Sequence, residues 1–347
     1  MPELKRILDL AKRASDAREE VCLATVAGVE GSAYRRPGAR MVLTRSGLRA
    51  GTVSGGCLEG EIAKKAWWLT ERGAAIQRYS SFFDDDGDMP YGLGCGGTVV
   101  VLLERGEPAA KTLDALRASV EERRAGIVAI DTSEETPGTV LIMNDAGEIA
   151  WQREGSGDAT KLADEVRRVK ASRQAGRFFL QYLAPPPSLI IFGAGDDAKP
   201  LVEFMAELDW HVTVADGRSQ LVRAERFPQA EVEGLEAGLR QAAKADAAVI
   251  MTHSYDQDRQ ILRALLPMVL KYLGILGPRQ RTERLAGEIA PGLGCTAGDC
   301  IARLHSPVGL DLGGHSPAAI ALSIAAELQA VLSGRGAKKP SAPLAHV

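Results

Sequence analysis

Two cysteines in the first half of the chain lie inside glycine-rich loops. Cys57 opens a run of helical spacing, so its thiol lies at the positive end of a helix dipole, where a thiolate is favoured. Cys95 has a glycine on each side, which allows another molecule to approach the backbone closely. Buried packing is the alternative interpretation of each thiol taken alone. The pattern predicts sulfur chemistry or metal binding at both thiols, beside loops that bind an anion through backbone N–H groups. The predicted loop contacts are Ser54, Gly55, Gly56, Gly94 and Gly96.

Another glycine motif lies in the second half of the chain, between a predicted strand and a predicted helix. Gly193-Ala-Gly195-Asp-Asp-Ala198 follows an apolar strand, and the next strand ends at Asp216. This is the G-x-G-x-x-A arrangement in the strand–turn–helix context of Rossmann-type folds. It predicts an anion-sized ligand site, with Asp216 accepting from ribose hydroxyls and Lys199 or Arg218 offsetting nearby negative charge.

Two acidic residues, Asp196 and Asp197, fall in the first turn of the helix after this motif. Carboxylates suit the positive end of the helix dipole but repel a phosphate unless a metal or a basic side chain intervenes. They favour the alternative interpretation, a Rossmann fold that binds no dinucleotide.

Polar side chains follow three later strands of the predicted parallel sheet. Ligands of open α/β sheets bind at the carboxyl ends of the strands, so these positions are candidate contacts. His253 is predicted to be a general base or a polar anchor, and a structural histidine bonded to the backbone is the alternative. Arg279 is predicted to contact an anion, and His305 to contact the cofactor.

The elements that must position these residues form two groups, separated by the stiff segment Pro185-Pro186-Pro187. The predicted fold class is α/β: a mixed α/β domain over 1–184, a Rossmann-like parallel-sheet domain over 188–333, and a disordered tail over 334–347. In the first domain, strands are predicted at 21–29, 41–45, 97–103, 126–131 and 139–145, and helices at 57–72, 109–124 and 160–172. In the second, strands are predicted at 189–192, 211–215, 247–252, 272–276 and 300–304, and a last helix at 318–332.

Composition excludes several classes of protein. The 42 basic and 45 acidic residues leave a net charge of −3 without a long basic run, so we expect no nucleic-acid partner. No apolar run is long enough for a membrane span and the N-terminus does not look like a signal peptide, so we expect a cytoplasmic protein. The five cysteines are irregularly spaced, which argues against a disulfide framework. Cys295 and Cys300 lack the companion pair of a zinc site.

These motifs, in this order, resemble the xanthine dehydrogenase accessory family, XdhC/CoxI, over most of the chain. The resemblance implies a two-domain, dimeric protein that binds molybdenum cofactor and protects it while a terminal sulfido ligand is installed. It implies delivery of the cofactor, in pterin or dinucleotide form, to an apo-hydroxylase, and a cysteine desulfurase as a further partner. The matching segments are 31–41, 55–59 and 94–97, the glycine turn, Asp216 with Arg218, Thr252-His253 and 305–311.

The resemblance favours an accessory protein over a turnover enzyme, with Cys57 and Cys95 as the contacts to molybdenum. The chain departs from the family at Asp196, where family members often carry a histidine. Two other hypotheses stay open. Gly193, Gly195 and Asp216 alone favour an NAD(P)-dependent oxidoreductase, and a nucleotide-sensing regulatory module is the third.

Overall fold

The computed structural model of the chain describes residues 3–56, 58–80 and 97–335. They form two compact units, which meet in sequence between Pro186 and Pro187. No helix in the described ranges is long and apolar enough to cross a bilayer.

The first unit contains two antiparallel sheets of five strands each. In the first sheet the order is β3-β2-β1-β5-β4, and in the second it is β8-β7-β6-β10-β9. The strands of the first sheet are β1 (Val21–Gly31), β2 (Arg40–Thr44), β3 (Arg49–Gly51), β4 (Ala75–Ser80) and β5 (Gly97–Glu104). Those of the second are β6 (Gly126–Asp131), β7 (Gly138–Asn144), β8 (Ile149–Gln152), β9 (Arg173–Ala175) and β10 (Phe178–Leu183). The helices are α1 (Glu3–Asp16), α2 (Glu59–Leu69), α3 (Gly106–Glu121) and α4 (Gly157–Val169).

Alternation along β1 sends its side chains into two different cores. Leu23 and Ala27 share one core with residues of α1, α3 and the second sheet, whereas Cys22, Ala24 and Val26 pack towards α2. Side chains two apart on a strand lie on the same face, which accounts for this division. The first sheet is therefore covered on both faces.

The second unit is built on a parallel sheet of five strands in the order β13-β12-β11-β14-β15, which confirms the predicted Rossmann-type domain. Strands β11, β14 and β15 are nearly continuous apolar runs, because helices cover both faces of the sheet. The strands are β11 (Ser188–Phe192), β12 (His211–Asp216), β13 (Glu231–Gly234), β14 (Ala247–Ile250) and β15 (Tyr272–Ile275). The helices are α5 (Ala198–Glu207), α6 (Leu235–Ala242), α7 (Tyr255–Leu265), α8 (Arg279–Leu293), α9 (Ala297–Ala302) and α10 (Pro317–Leu332).

The predicted strand at 300–304 is wrong, because Cys300 lies in the short helix α9. Thr296 and Asp299 form a reciprocal capping box that starts this helix. The chain then reaches β15 through a single parallel bridge between His305 and Gly274. The last helix lies where the sequence predicts it.

Candidate functional site

The glycine turn after β11 packs closely against the backbone that follows β14. Gly193 has φ +125°, and a Cβ there would overlap the backbone carbonyl of Met251. Its N–H donates to Ala215 O at 2.9 Å. Only glycine meets both the dihedral angle and the close approach, so the sequence motif has a local structural cause here.

Asp216, at the end of β12, is buried, and groups of the turn donate hydrogen bonds to both of its carboxylate oxygens. Its Oδ2 accepts from Ala194 N and from Arg218 Nη2, both at 2.7 Å. Its Oδ1 accepts from Arg218 N at 2.8 Å and Arg218 Nε at 2.9 Å. Burial alone would raise the pKa of this carboxyl, but these hydrogen bonds outweigh it and lower the pKa. With four acceptor positions filled, Asp216 shapes the turn and leaves no lone pair for a ribose hydroxyl.

The carboxylates at the start of α5 are each paired with a neighbouring basic or ring nitrogen. Asp196 Oδ1 lies 2.8 Å from Lys199 Nζ and 2.9 Å from Arg226 Nη2. Hydrogen bonds from these two side chains lower the pKa of Asp196. Asp197 Oδ1 lies so close to Gly195 that a Cβ on Gly195 would overlap it. The negative charge of Asp196 is therefore already balanced by basic side chains of the protein.

His253 follows β14 and reaches the same turn. Its Nε2 lies 2.6 Å from Asp197 Oδ2, and its side chain is 63% exposed. Its backbone has φ +60°, which is uncommon for a residue with a Cβ. When Nε2–H donates to the carboxylate, Nδ1 of the neutral ring accepts a hydrogen bond or a proton. The structure thus joins His253 to the Gly193–Gly195 turn.

The residues on either side of His253 are fixed by short polar contacts. Thr252 Oγ1 donates to the buried Asp258, whose other oxygen lies 2.5 Å from Arg281 Nη1. The Ser254 side chain caps α7 by accepting from Gln257 N. Neither Asp258 nor Arg281 stands out by sequence motif, although both hold the strand end in place.

A cavity of about 630 Å³ opens at the carboxyl ends of β12 and β13. This volume is within the range of small-molecule sites. Ser219, Arg240 and Gln260 supply polar groups to its wall, and Leu235 supplies apolar surface. Asp216 belongs to both the cavity wall and the glycine turn, so the cavity and the turn are adjacent.

Two other predicted contacts, Arg279 and His305, have hydrogen-bond partners outside this cluster. Arg279 begins α8 with an exposed side chain, and its Nε lies 2.9 Å from Glu283 Oε1. His305 does not follow a strand; it stacks on Tyr272, the first residue of β15, at 4.1 Å between ring centroids. Its Nδ1 lies 2.9 Å from Oε1 of the buried Glu327 on α10. The expected alignment of His305 with other strand ends fails because residues 297–302 form a helix.

In the first unit, the loop before α2 is organised by a buried glutamate that the sequence motifs did not single out. Glu59 Oε1 accepts from Val53 N and Ser54 N, and its Oε2 accepts from Ser54 Oγ at 2.6 Å. Burial alone would raise the pKa of Glu59, but these hydrogen bonds have the larger effect, so the pKa is lowered from its ordinary value. Ser54 Oγ in turn accepts from Gly56 N and Leu58 N, so Ser54 supports the loop, while Leu58 is the residue that precedes the helix.

The exposed part of this loop is formed by Gly55 and Gly56. Gly56 has φ +111°, and none of the described residues comes within 4 Å of a Cβ built on it. The remaining predicted residues of the two loops, Cys57, Gly94, Cys95 and Gly96, lie outside the described residues. Within the described ranges, no three His, Cys, Asp or Glu side chains come together as a metal-ligand set.

Comparisons with known proteins match both units. Residues 189–328 match the family model described as the XdhC Rossmann domain, and residues 14–80 match the XdhC and CoxI family model. Over 327 residues the chain is 31% identical to a Bacillus subtilis protein named as a probable xanthine dehydrogenase subunit. The match covers 90% of this chain and 93% of that protein.

Two further relatives differ in how much they share. A crystal structure described as a xanthine dehydrogenase from Bacillus halodurans is 29% identical, with a TM-score of 0.77, and covers 99% of this chain and 98% of its own. The uncharacterized protein YqeB of Escherichia coli is 28% identical over 167 residues, which are 46% of this chain and 30% of YqeB.

Proposed function

Because the chain belongs to the XdhC and CoxI family, we propose that it is a maturation factor for a molybdenum hydroxylase of the xanthine dehydrogenase type. It binds molybdenum cofactor, supports its sulfuration and delivers it to the apo-hydroxylase. The observation that carries this proposal is the similarity along nearly the whole chain to a protein named for xanthine dehydrogenase. A cysteine desulfurase is the proposed source of sulfur, and a homodimer is the proposed assembly.

The glycine loop before α2 fits one part of such a cofactor. Gly55 and Gly56 are exposed, and the described residues leave the space beside Gly56 open, so a ligand could approach the backbone there. Glu59 and Ser54 hold the buried side of the loop, so its exposed side is preformed. Cys57 follows directly in sequence, and we assign to Cys57 and Cys95 the sulfur contacts. When bound, the cofactor supplies a molybdenum centre with exchangeable sulfur, for which thiolates are suitable ligands.

The turn after β11 supports a second contact to the ligand. Gly193, Gly195 and Asp216 build the turn, and Arg218, whose Nε and Nη2 pair with Asp216, leaves part of its guanidinium exposed beside the turn. His253 Nδ1 is available to accept a proton or hydrogen bond from the ligand. Arg279 and His305 remain proposed contacts because of the sequence motifs alone. The adjacent cavity has room for a pterin or a nucleoside.

The geometry gives less support to the alternative, an NAD(P)-dependent oxidoreductase. A dinucleotide fold presents free backbone N–H groups to the pyrophosphate. In this turn the Ala194 N–H donates to Asp216, and Asp197 lies against Gly195. A pyrophosphate would have to displace a carboxylate of the protein before it reached these groups.

Retention of cofactor by the purified protein tests the proposal. Molybdenum content and pterin fluorescence are measured after incubation with molybdenum cofactor, for the wild type and for Cys57→Ala and Cys95→Ala. Cys22→Ala is the matched control, because Cys22 is buried in β1 and burial raises its pKa to about 12. We expect stoichiometric retention by the wild type and the control, and loss in either loop variant. A wild type that retains no molybdenum refutes the proposal.

A further inference from the structure

A pair of thiols, Cys295 and Cys300, lies in the second unit. Cys295 Sγ and Cys300 Sγ are 3.3 Å apart. A disulfide bond is about 2.05 Å long, so the sulfur atoms would need to approach by roughly 1.2 Å to form one. Rotation about side-chain bonds is the expected way to cover such a distance.

The backbone on both sides of the pair is held in place. Helix α8 ends at Leu293, the capping residue Gly294 turns the chain with φ +66°, and Cys295 N donates to Ala290 O. Thr296 and Asp299 then fix the start of α9 through three hydrogen bonds of 2.7 to 3.1 Å. The contact between the sulfur atoms is therefore set by two neighbouring helix ends and not by one mobile loop.

The two sulfur atoms have different surroundings. Cys300 is 2% exposed, and desolvation raises its pKa to about 11, with a further contribution from Cys295. Cys295 is half-buried, so it is the member that a reagent in solution reaches first. This is the usual division between an attacking and a resolving thiol.

From this geometry we propose that Cys295 and Cys300 are a dithiol site that undergoes exchange with small-molecule disulfides. The thiolate of Cys295 attacks one sulfur of a disulfide RSSR, forming a mixed disulfide Cys295–S–S–R and releasing RS⁻. Cys300 gives up its proton and attacks the Cys295 sulfur, forming the Cys295–Cys300 bond and releasing the second RS⁻. The two thiols lose two electrons and two protons, and RSSR becomes two RSH.

Closure of this bond would tie the end of α8 to α9, just before the segment that bridges to β15 at His305. The proposal uses only residues of the second unit and does not depend on cofactor binding. A failure of cofactor retention would leave it intact.

Mass spectrometry of the intact protein treated with glutathione disulfide, followed by alkylation and trypsin, tests the proposal. Residues 285–303 form one tryptic peptide that contains both thiols and no other cysteine. We expect this peptide to lose two hydrogens and to resist alkylation. Cys22 is the internal control, because a thiol buried in β1 should be alkylated only after unfolding.

Two variants separate the two steps. Cys300→Ser should accumulate a glutathione adduct on Cys295, and Cys295→Ser should acquire no adduct on Cys300. A wild-type peptide that keeps two alkylatable thiols, or one that retains a stable glutathione adduct, overturns the proposal. The wild-type result decides the question even if Cys300→Ser fails to fold.

Discussion

His253 Nε2 lies 2.6 Å from Asp197 Oδ2, so a side chain from the end of β14 closes over the start of α5. The histidine holds this position with a left-handed backbone. Strained residues of this kind persist only where surrounding contacts determine them, and they cluster at functional sites. Here those contacts come from Thr252 and Ser254 on either side.

Two substitutions at His253 separate the backbone strain from the side-chain contact. Both His253→Ala and His253→Gly remove the bond to Asp197, but only glycine relieves the positive φ. We expect His253→Gly to be more stable than His253→Ala by about 1 kcal/mol in the free energy of unfolding, because left-handed backbone disfavours a Cβ by roughly that amount. Urea denaturation of the two variants measures the difference. Equal stabilities would show that the strain is absent in solution.

Asp216 is predicted to protect backbone amides of the glycine turn. In Asp216→Ala, the Ala194 and Arg218 N–H groups lose their acceptor. We expect their hydrogen exchange to accelerate and the free energy of unfolding to fall by about 2 kcal/mol, the order of magnitude for bonds to a buried charged group. Asp256→Ala is the control, since Asp256 is exposed and pairs with Arg259 in the same helix turn. Unchanged exchange at Ala194 would contradict the arrangement.

Glu327 is predicted to make the second unit sensitive to acid. It accepts from Tyr272 OH at 2.6 Å and from Gly309 N at 2.8 Å, in addition to its contact with His305. Burial alone would raise the pKa of Glu327, but these hydrogen bonds have the larger effect, so its pKa is lowered from the ordinary value. A carboxyl with a lowered folded pKa contributes stability above its ordinary pKa and loses it as the pH falls through the folded pKa.

Glu327→Gln should therefore reduce the free energy of unfolding near neutral pH by about 2 kcal/mol. The difference from the wild type should shrink as the pH falls below the ordinary range of a glutamate. Unfolding curves at a series of pH values test this, with Glu283→Gln as an exposed control on α8. A difference that is constant across the series would mean that the charge of Glu327 does not contribute.

Nicotinamide cofactors are predicted to bind poorly. Ala194 N–H already donates to Asp216, and Asp197 fills the space beside Gly195. We therefore expect calorimetric titration with NAD⁺ or NADP⁺ to give a Kd no tighter than about 1 mM. Asp197→Ala, which clears the space beside Gly195, should bind more tightly than the wild type. Micromolar binding by the wild type would revive the oxidoreductase hypothesis.

Local patterns in the sequence predicted the parts of the fold that local physics controls. The apolar strand before Gly193 and the helix after it lie in the order that the motif requires. The same reasoning is wrong at 300–304, where the apolar residues Ile301 and Leu304 favour a short strand but residues 297–302 form a helix. The capping box of Thr296 and Asp299 was the available signal for a helix.

The environment of individual side chains was harder to predict. The sequence identifies Asp216 as the acidic residue after the second strand, but only the tertiary structure reveals that Ala194 N–H and Arg218 donate to its carboxylate. The pairing of β1 with β5 joins segments about 75 residues apart, which no local periodicity encodes. Glu59 lies within the matching segment 55–59, yet its role depends on burial, which the sequence does not display.

The position of α10 has a consequence for how the second unit folds during synthesis. All five parallel strands have been made by Ile275, but one face of the sheet is covered by α5 together with Ile324, Leu328 and other residues of α10. Glu327 on the same helix forms hydrogen bonds with Tyr272, the first residue of β15, and with His305. A nascent chain that has completed its sheet thus still exposes apolar surface to solvent or to chaperones, and the unit closes only when 317–332 emerge from the ribosome.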